Sequence, residues 1–247
     1  MPAAAAPRRF DRLDALRGVA IVWMTVYHFA FDLNHFGFIR QDFYRDPVWT
    51  WQRTCILGLF LFCAGLGQAV AVAQGQTWAR FWRRWAQVAG CALLVTAGSW
   101  LMFPNSFIYF GVLHGMAVML VIARLTAGWG AWLWLAGAVA VLAPLAAPAM
   151  HAAWPGLEVM QRPWLNWLGW IARKPRTEDY VPLLPWLGVM WWGLAAGQWV
   201  LRERPEWMQR VLPGQAGWLA WMGRWSLTWY MVHQPVLIGV LMAVRAI

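Results

Sequence analysis

The 247-residue sequence contains few charged side chains. Asp, Glu, Lys and Arg make up 12% of it and hydrophobic residues 61%, whereas about a quarter of the residues in a soluble domain are charged. A soluble domain of this length could not bury so much apolar surface and still cover its exterior with polar groups. The composition therefore excludes intrinsic disorder and a nucleic-acid-binding domain, and it indicates an all-α, polytopic helix bundle whose partner is the lipid bilayer.

Cysteine and lysine are also scarce. Cys55, Cys63 and Cys91 lie in apolar runs, which favours buried thiols over a disulfide framework. Lys174 is the only lysine among the 20 basic residues. The sequence lacks a Walker A loop, a dinucleotide glycine pattern, a Gly-x-Ser-x-Gly elbow and zinc-ligand spacings. We therefore expect no metal ion.

Long runs with almost no charged residue predict seven transmembrane helices, because about 20 apolar residues cross the hydrocarbon core. The runs are 19–38, 54–79, two within 85–123 that are separated by a turn signal at 104–106, 131–148, 181–201 and 218–244. Two prolines interrupt the end of the fifth run. The interval 151–180 is polar apart from a short apolar segment at 164–171, which could lie in the membrane interface. We expect residues 1–11 to form a disordered tail and 12–247 to form a single transmembrane domain.

Arginines indicate the orientation. With seven spans, most basic residues fall on the side of the N-terminus, which predicts a cytoplasmic N-terminus. Some of them cluster just before the first and third spans, at Arg12, Arg17, Arg80, Arg83 and Arg84. These arginines could serve only to fix the orientation of the helices in the membrane. Alternatively, a polyanionic ligand such as a CoA nucleotide would use the same charges.

The first span carries three ionisable residues, His28, Asp32 and His35, at spacings that place them on one helix face. His28 lies 11 residues after Arg17, about 16 Å along the helix and near the middle of the bilayer. A carboxylate one turn away could accept its ring N–H and make it a general base. The alternative is a satisfied polar residue that packs helix against helix. His35 lies near the outer boundary.

Further polar residues occur in or beside later spans. His114 begins the fourth, and His233 and Gln234 precede Pro235 in the seventh. This pair could satisfy a carbonyl that the proline frees, or it could line a pocket facing the first helix. Asp179-Tyr180 precede the sixth span, where they suit either a helix cap or an acceptor with hydroxyl or amine groups.

Four sequence segments together resemble a known family. They are RLDALRG at 12–18 with YHF at 27–29 and DLN at 32–34, FGVLH at 110–114, DYVPLLPWLG at 179–188 and YMVHQPVL at 230–237. Their order along 12–244 is similar to the bacterial branch of the heparan-α-glucosaminide N-acetyltransferase family, part of a transmembrane acyltransferase superfamily. The resemblance implies a multi-pass protein of the bacterial inner membrane.

The resemblance also implies acetyl transfer from cytoplasmic acetyl-CoA, a CoA thioester, to an amine or hydroxyl of an extracytoplasmic sugar or glycan. In that reading His28 is the catalytic base, Asp32 orients it, and His35 is the reserve candidate. The acceptor would contact Asn34, His114, Asp179, Tyr180, His233 and Gln234, and CoA would contact the five arginines above. Direct attack on the thioester and an acetyl-histidine intermediate both remain open.

Other functions fit parts of the pattern. A proton-coupled transporter or flippase would use His28 and Asp32 as a relay. A haem-binding subunit would use His28, His114 or His233 as axial ligands. A purely structural membrane partner leaves the intramembrane acid and base unexplained. The Trp-rich apolar faces permit a homodimer.

Overall fold

The computed structural model describes residues 10–210 and 214–246. Over these residues the secondary structure is helical, with 3₁₀ turns between the longer helices and no strand longer than an isolated bridge. The α-helices are α1 (Asp11–His35), α2 (Pro47–Ala73), α3 (Trp78–Met102), α4 (Val112–Leu125), α5 (Trp132–Leu142), α6 (Ala147–Ala153), α7 (Leu183–Glu203), α8 (Pro205–Gln209), α9 (Gly217–Arg224) and α10 (Ser226–Arg245). The expected all-α membrane fold is confirmed.

Four helical segments in the described part are long and apolar enough to cross a membrane: Pro47–Ala73, Trp78–Met102, Trp132–Ala153 and Ser226–Arg245. Helices α1 and α7 have 25 and 21 residues, and α4 is a shorter apolar helix. Every predicted span thus coincides with helix. The number seven and the orientation stay predictions, and Arg8, Arg9 and most of the predicted tail lie outside the described residues.

Two boundaries differ from the sequence prediction. The predicted seventh span is divided, because α9 ends at Arg224 and α10 begins at Ser226. The fifth span does not end at its prolines. Pro144 and Pro148 occupy the first turns of a 3₁₀ segment and of α6, where the missing N–H costs no hydrogen bond, so helix continues to Ala153.

The chain divides into two units, one comprising Met1–Cys63 with Arg204–Ile247 and the other Ala64–Glu203. In the first unit, glycines let α1 and α9 approach closely. A methyl group on Gly18 would meet the backbone carbonyl of Leu219, and one on Gly223 would meet that of Asp14. Small residues at such crossings are how membrane helices gain packing, since lipid supplies little hydrophobic drive for helix association.

In the second unit, α5 runs along α7. Gly137 lies against the indole of Trp192, and Gly188 lies against the backbone of Gly137. The Trp192 indole N–H donates to the carbonyl of Trp134 at 3.1 Å. Glycine stands at these positions in place of a larger side chain, so α5 and α7 approach closely, as α1 and α9 do in the first unit.

Candidate active site

Two histidines from distant parts of the chain meet inside the first unit. His28 on α1 and His233 on α10 lie 205 positions apart, yet Nδ1 of His28 is 2.7 Å from Nε2 of His233. The two rings are nearly parallel, at 11°, with centroids 5.0 Å apart. His233 is 7% exposed. His233 therefore lies against the first helix, and its role in lining a pocket there stays a prediction.

Backbone carbonyls determine which nitrogens of this pair carry hydrogen. Nδ1 of His233 lies 2.8 Å from the carbonyl oxygen of Tyr230 and 3.1 Å from that of Trp229. A carbonyl only accepts, so Nδ1 of a neutral His233 holds the hydrogen and its Nε2 holds a lone pair. His28 must then donate from Nδ1, which leaves Nε2 of His28 as the nitrogen that can take a proton.

The partners of His233 are not the carbonyl that the proline frees. Pro235 lacks the N–H that would reach the carbonyl of Met231, four residues earlier, whereas His233 reaches Trp229 and Tyr230. His233 therefore does not repair the proline site. Its contacts set the tautomer of the imidazole pair.

Asp32 binds a different partner from the one expected. Its Oδ1 accepts a hydrogen bond of 2.9 Å from Nε2 of Gln234, whereas the hydrogen-bond partner of His28 is His233. The hydrogen bonds of Asp32 and His28 thus go to different residues from those that the sequence suggested, and orientation of His28 by Asp32 stays a prediction. The i, i+4 spacing does place both side chains on one face of α1, but each turns to a separate residue of α10.

Asp32 is buried, Gln234 is partly buried, and the two side chains are incompletely bonded. Asp32 is 3% exposed. Its Oδ2 and Oε1 of Gln234 are buried and have no hydrogen-bond partner among residues 10–210 and 214–246. Buried polar atoms are nearly always paired in folded proteins, so these two oxygens indicate a place where a ligand or water binds.

The C-terminal end of α1 leads to an open pocket of about 510 Å³. Asn34 lines it together with Gly37 and residues 39–44, and its Oδ1 accepts from the backbone N–H of Gln41 at 2.7 Å. His35 is exposed and lies edge-on to Phe36. The structure thus places Asn34 at a surface pocket and His35 at the rim, apart from the imidazole pair.

A further contact between α1 and α10 was not expected from the sequence. The indole N–H of Trp229 donates to Oγ1 of Thr25 at 2.8 Å. Thr25 precedes His28 by three residues and Trp229 precedes His233 by four, so each lies one helical turn from its histidine. That matched spacing is the signal that could have identified this contact, which joins the two helices beside the imidazole pair.

In the second unit, His114 has partners within the chain. Its Nδ1 accepts from the backbone N–H of Gly111, and its Nε2 lies 2.9 Å from Oγ1 of Thr96. The Thr96 hydroxyl donates to the carbonyl of Ile108. These bonds join α3 to the start of α4.

Asp179 and Tyr180 also bind other parts of the second unit. Oδ2 of Asp179 accepts from the backbone N–H of Val112, the first residue of α4. The Tyr180 hydroxyl donates to the carbonyl of Asn166 at 2.6 Å, and burial raises the pKa of Tyr180 above its ordinary value. Asp179 thus accepts from the start of α4, whereas the sequence interpretation expected a cap on the sixth span; contact with the acceptor stays a prediction.

The arginines predicted to bind CoA divide between the units. In the first unit, Arg17 pairs with Asp14 at 2.9 Å and Arg12 lies over the ring of Trp207. In the second unit, exposed arginines occupy the first two turns of α3, at positions Arg80, Arg83 and Arg84. Cations at a helix N-terminus oppose the helix dipole, so the dipole gives no reason for three positive charges here, although Arg84 donates to Gln87 within the helix.

Another arginine, Arg124, fixes the turn before α3. It donates to the backbone carbonyl of Gln76 and lies over the rings of Trp78 and Phe81. No group of three His, Cys, Asp or Glu side chains in the part of the chain that the structure describes could hold a metal ion.

An all-helical membrane domain with a partly buried imidazole pair suits proton transfer within the bilayer. The family model described as "Heparan-alpha-glucosaminide N-acetyltransferase, catalytic" matches residues 9–235, so the chain belongs to that family. The protein is accordingly a membrane acetyltransferase. Comparisons with curated proteins and with solved structures give no match.

Proposed function

We propose that this protein transfers an acetyl group from cytoplasmic acetyl-CoA to an amine or hydroxyl of a sugar on the outer side of a bacterial inner membrane. The observation that carries this proposal is the tautomer of the His28–His233 pair. Hydrogen bonds leave Nε2 of His28 as the basic nitrogen. General acid–base groups of this kind contribute about 10²–10⁴-fold to enzyme rates.

In the proposed reaction, Nε2 of His28 removes a proton from the acceptor as the acceptor attacks the thioester carbonyl. The C–S bond breaks, CoA leaves as a thiolate, and the proton held by His28 returns to that sulfur. His233 is a positioning residue, because it contacts His28 and not the reacting atoms. Asp32, Gln234 and Asn34 lie further along α1 and α10, where they would contact the acceptor.

The charges of α3 support the assignment of the donor. Arg80, Arg83 and Arg84 bring three positive charges to a helix N-terminus, whose backbone N–H groups also favour anions. Phosphate groups of CoA would bind such a cluster. Under the predicted orientation this end of α3 faces the cytoplasm, where acetyl-CoA is made.

The test is acetyl transfer by the purified protein. Radiolabelled acetyl-CoA and a panel of amino sugars should give labelled product with the wild type, whereas His28→Ala should lose turnover and retain CoA binding. His151→Gln, a histidine change in the second unit, is the matched control and should retain activity. Loss of activity in His35→Ala with an active His28→Ala would move the base to His35. Absence of transfer together with proton-coupled sugar movement would favour a transporter.

A further inference from the structure

A tryptophan of α10 is bonded both to the first helix and to the imidazole pair. The Trp229 indole N–H donates to Oγ1 of Thr25 at 2.8 Å, and the Trp229 carbonyl oxygen lies 3.1 Å from Nδ1 of His233. The Thr25 hydroxyl in turn donates to the backbone carbonyl of Ile21 at 2.8 Å. Its hydrogen is therefore engaged, and its oxygen presents a lone pair to the indole. Trp229 thus connects α1 to the ring of His233.

Polar contacts join α1 to α10 in the same order along both helices. They are Thr25 with Trp229, His28 with His233, and Asp32 with Gln234. Because the residue numbers rise together, the two helices run in the same direction where they pack. A slide of α10 along α1 would therefore displace His233 from His28 as well as Trp229 from Thr25. A misplacement of about 1 Å at a reacting group can cost about 10²-fold in rate.

The bond between Trp229 and Thr25 is suited to hold this register. Helix α10 is apolar enough to cross a membrane, and Trp229 is 36% exposed at its surface. An indole N–H in hydrocarbon finds no water, so a protein acceptor is its source of a hydrogen bond. In the proposed reaction Asp32 and Gln234 contact the acceptor, so their bond to each other is exchanged during turnover. The Trp229–Thr25 bond takes no part in that exchange.

We propose that Trp229 and Thr25 are positioning residues for the proposed base. Their hydrogen bond sets the register of α10 along α1 and keeps Nε2 of His233 at 2.7 Å from Nδ1 of His28. This inference rests on the proposed acetyl transfer and extends it by one further layer of support. The pair acts through His233 and not on the reacting atoms, as expected of residues that hold a catalytic group in place.

The kinetic experiment removes each partner of the bond with little change in shape. Trp229→Phe deletes the N–H and Thr25→Val deletes the acceptor, and each should lower kcat about tenfold with the acetyl-CoA KM unchanged. The double variant should lose no more than either single one, since both remove the same bond. Thr25→Ser keeps the hydroxyl and should retain wild-type kcat. Trp23→Phe is the matched control, because the Trp23 indole joins α1 to Gln52 on α2 at 3.2 Å.

A second measurement examines the imidazole pair without reference to turnover. Nitrogen NMR of the purified protein with isotope-labelled histidine reports which ring nitrogens carry hydrogen and how they are bonded. Trp229→Phe should shift the signals of His28 and His233, which are assigned by their loss in His28→Gln and His233→Gln. The signals of His114, in the second unit, should not shift. Trp23→Phe should leave all of them unchanged.

The outcomes separate this inference from the proposed function. Wild-type kcat in both Trp229→Phe and Thr25→Val, in a protein that transfers acetyl groups, would overturn the inference and leave the proposed function standing. An equal loss of kcat in Trp23→Phe would also overturn it, because any indole bond of α1 would then serve. Absence of acetyl transfer by the wild type would contradict the proposed function. In that case, unchanged His28 signals in Trp229→Phe would overturn the positioning role as well, and shifted signals would support it.

Discussion

At the scale of single residues, His233 shows how a backbone can set the chemistry of a distant side chain. Its Nδ1 faces two carbonyl oxygens of its own helix, and this fixes the tautomer that His28 meets. In serine hydrolases a carboxylate does the same work for the catalytic histidine. Here a neutral imidazole takes that place, which avoids an unpaired buried charge.

The variant His233→Ala should distinguish a role of His233 in positioning His28 from a role in substrate binding. Without an acceptor for its Nδ1–H, His28 can adopt either tautomer, so we expect kcat to fall by about 10²–10³-fold. The acetyl-CoA KM should stay unchanged, and the pH profile of kcat should shift because the histidine that titrates has lost its partner. Steady-state kinetics across pH measure both quantities. A loss confined to expression or thermal stability, with a wild-type pH profile, would show that His233 is only structural.

Part of this site could be predicted from residue patterns. The spacing of His28 and Asp32 identified one face of α1, and the polar pair before Pro235 indicated a pocket facing that helix. The pattern did not reveal which residues pair. Helical spacing fixes the side of a helix a residue occupies, whereas hydrogen-bond partners depend on the rotation and crossing of a second helix. Asp32 was therefore assigned to His28 when it binds Gln234.

At the scale of helices, α1 and α9 cross on the N-terminal side of His28, and this packing supports the helix that carries the proposed base. Gly18 lies ten residues before His28, and any side chain there would meet the carbonyl of Leu219. Hydropathy predicted α1 as a span but gave no sign of this contact, because glycine in an apolar run has many roles. The break between α9 and α10 was missed for a similar reason. Arg224, Trp225 and Ser226 mark the break, but the residues beyond them on either side are mostly apolar.

Gly18→Ala should destabilise the first unit. The added methyl group must push α1 away from α9, at a cost of about 1–3 kcal/mol for overpacking. Gly58→Ala on α2 is the matched control, since its methyl group meets nothing within 4 Å and alanine favours helix. Thermal unfolding in detergent, followed by tryptophan fluorescence, should show a lower Tm for Gly18→Ala alone. Equal Tm values for both variants would contradict the close crossing.

At the scale of the whole molecule, charged residues are scarce, so a buried ionisable residue indicates a function. Charged residues are 12% of the chain and gather mostly at helix ends and in loops. Asp32 is an exception, since it lies buried in α1. A base within the bilayer could serve a thioester from one side and a sugar from the other, so neither polar substrate would have to cross. This is the physical reason for an acetyltransferase to be embedded in a membrane.

Transfer across a sealed bilayer is the prediction that tests this arrangement. In proteoliposomes with glucosamine trapped inside and radiolabelled acetyl-CoA added outside, molecules whose cytoplasmic side faces outward should acetylate the trapped sugar. Glucosamine and acetyl-CoA supplied together on the outside should give less product. In either orientation of the protein, one of the two substrates would then be on the wrong side of the bilayer. Protein-free liposomes control for leakage. Labelled product that forms only when both substrates share one side would contradict transfer through the membrane, and it would place donor and acceptor sites on the same face.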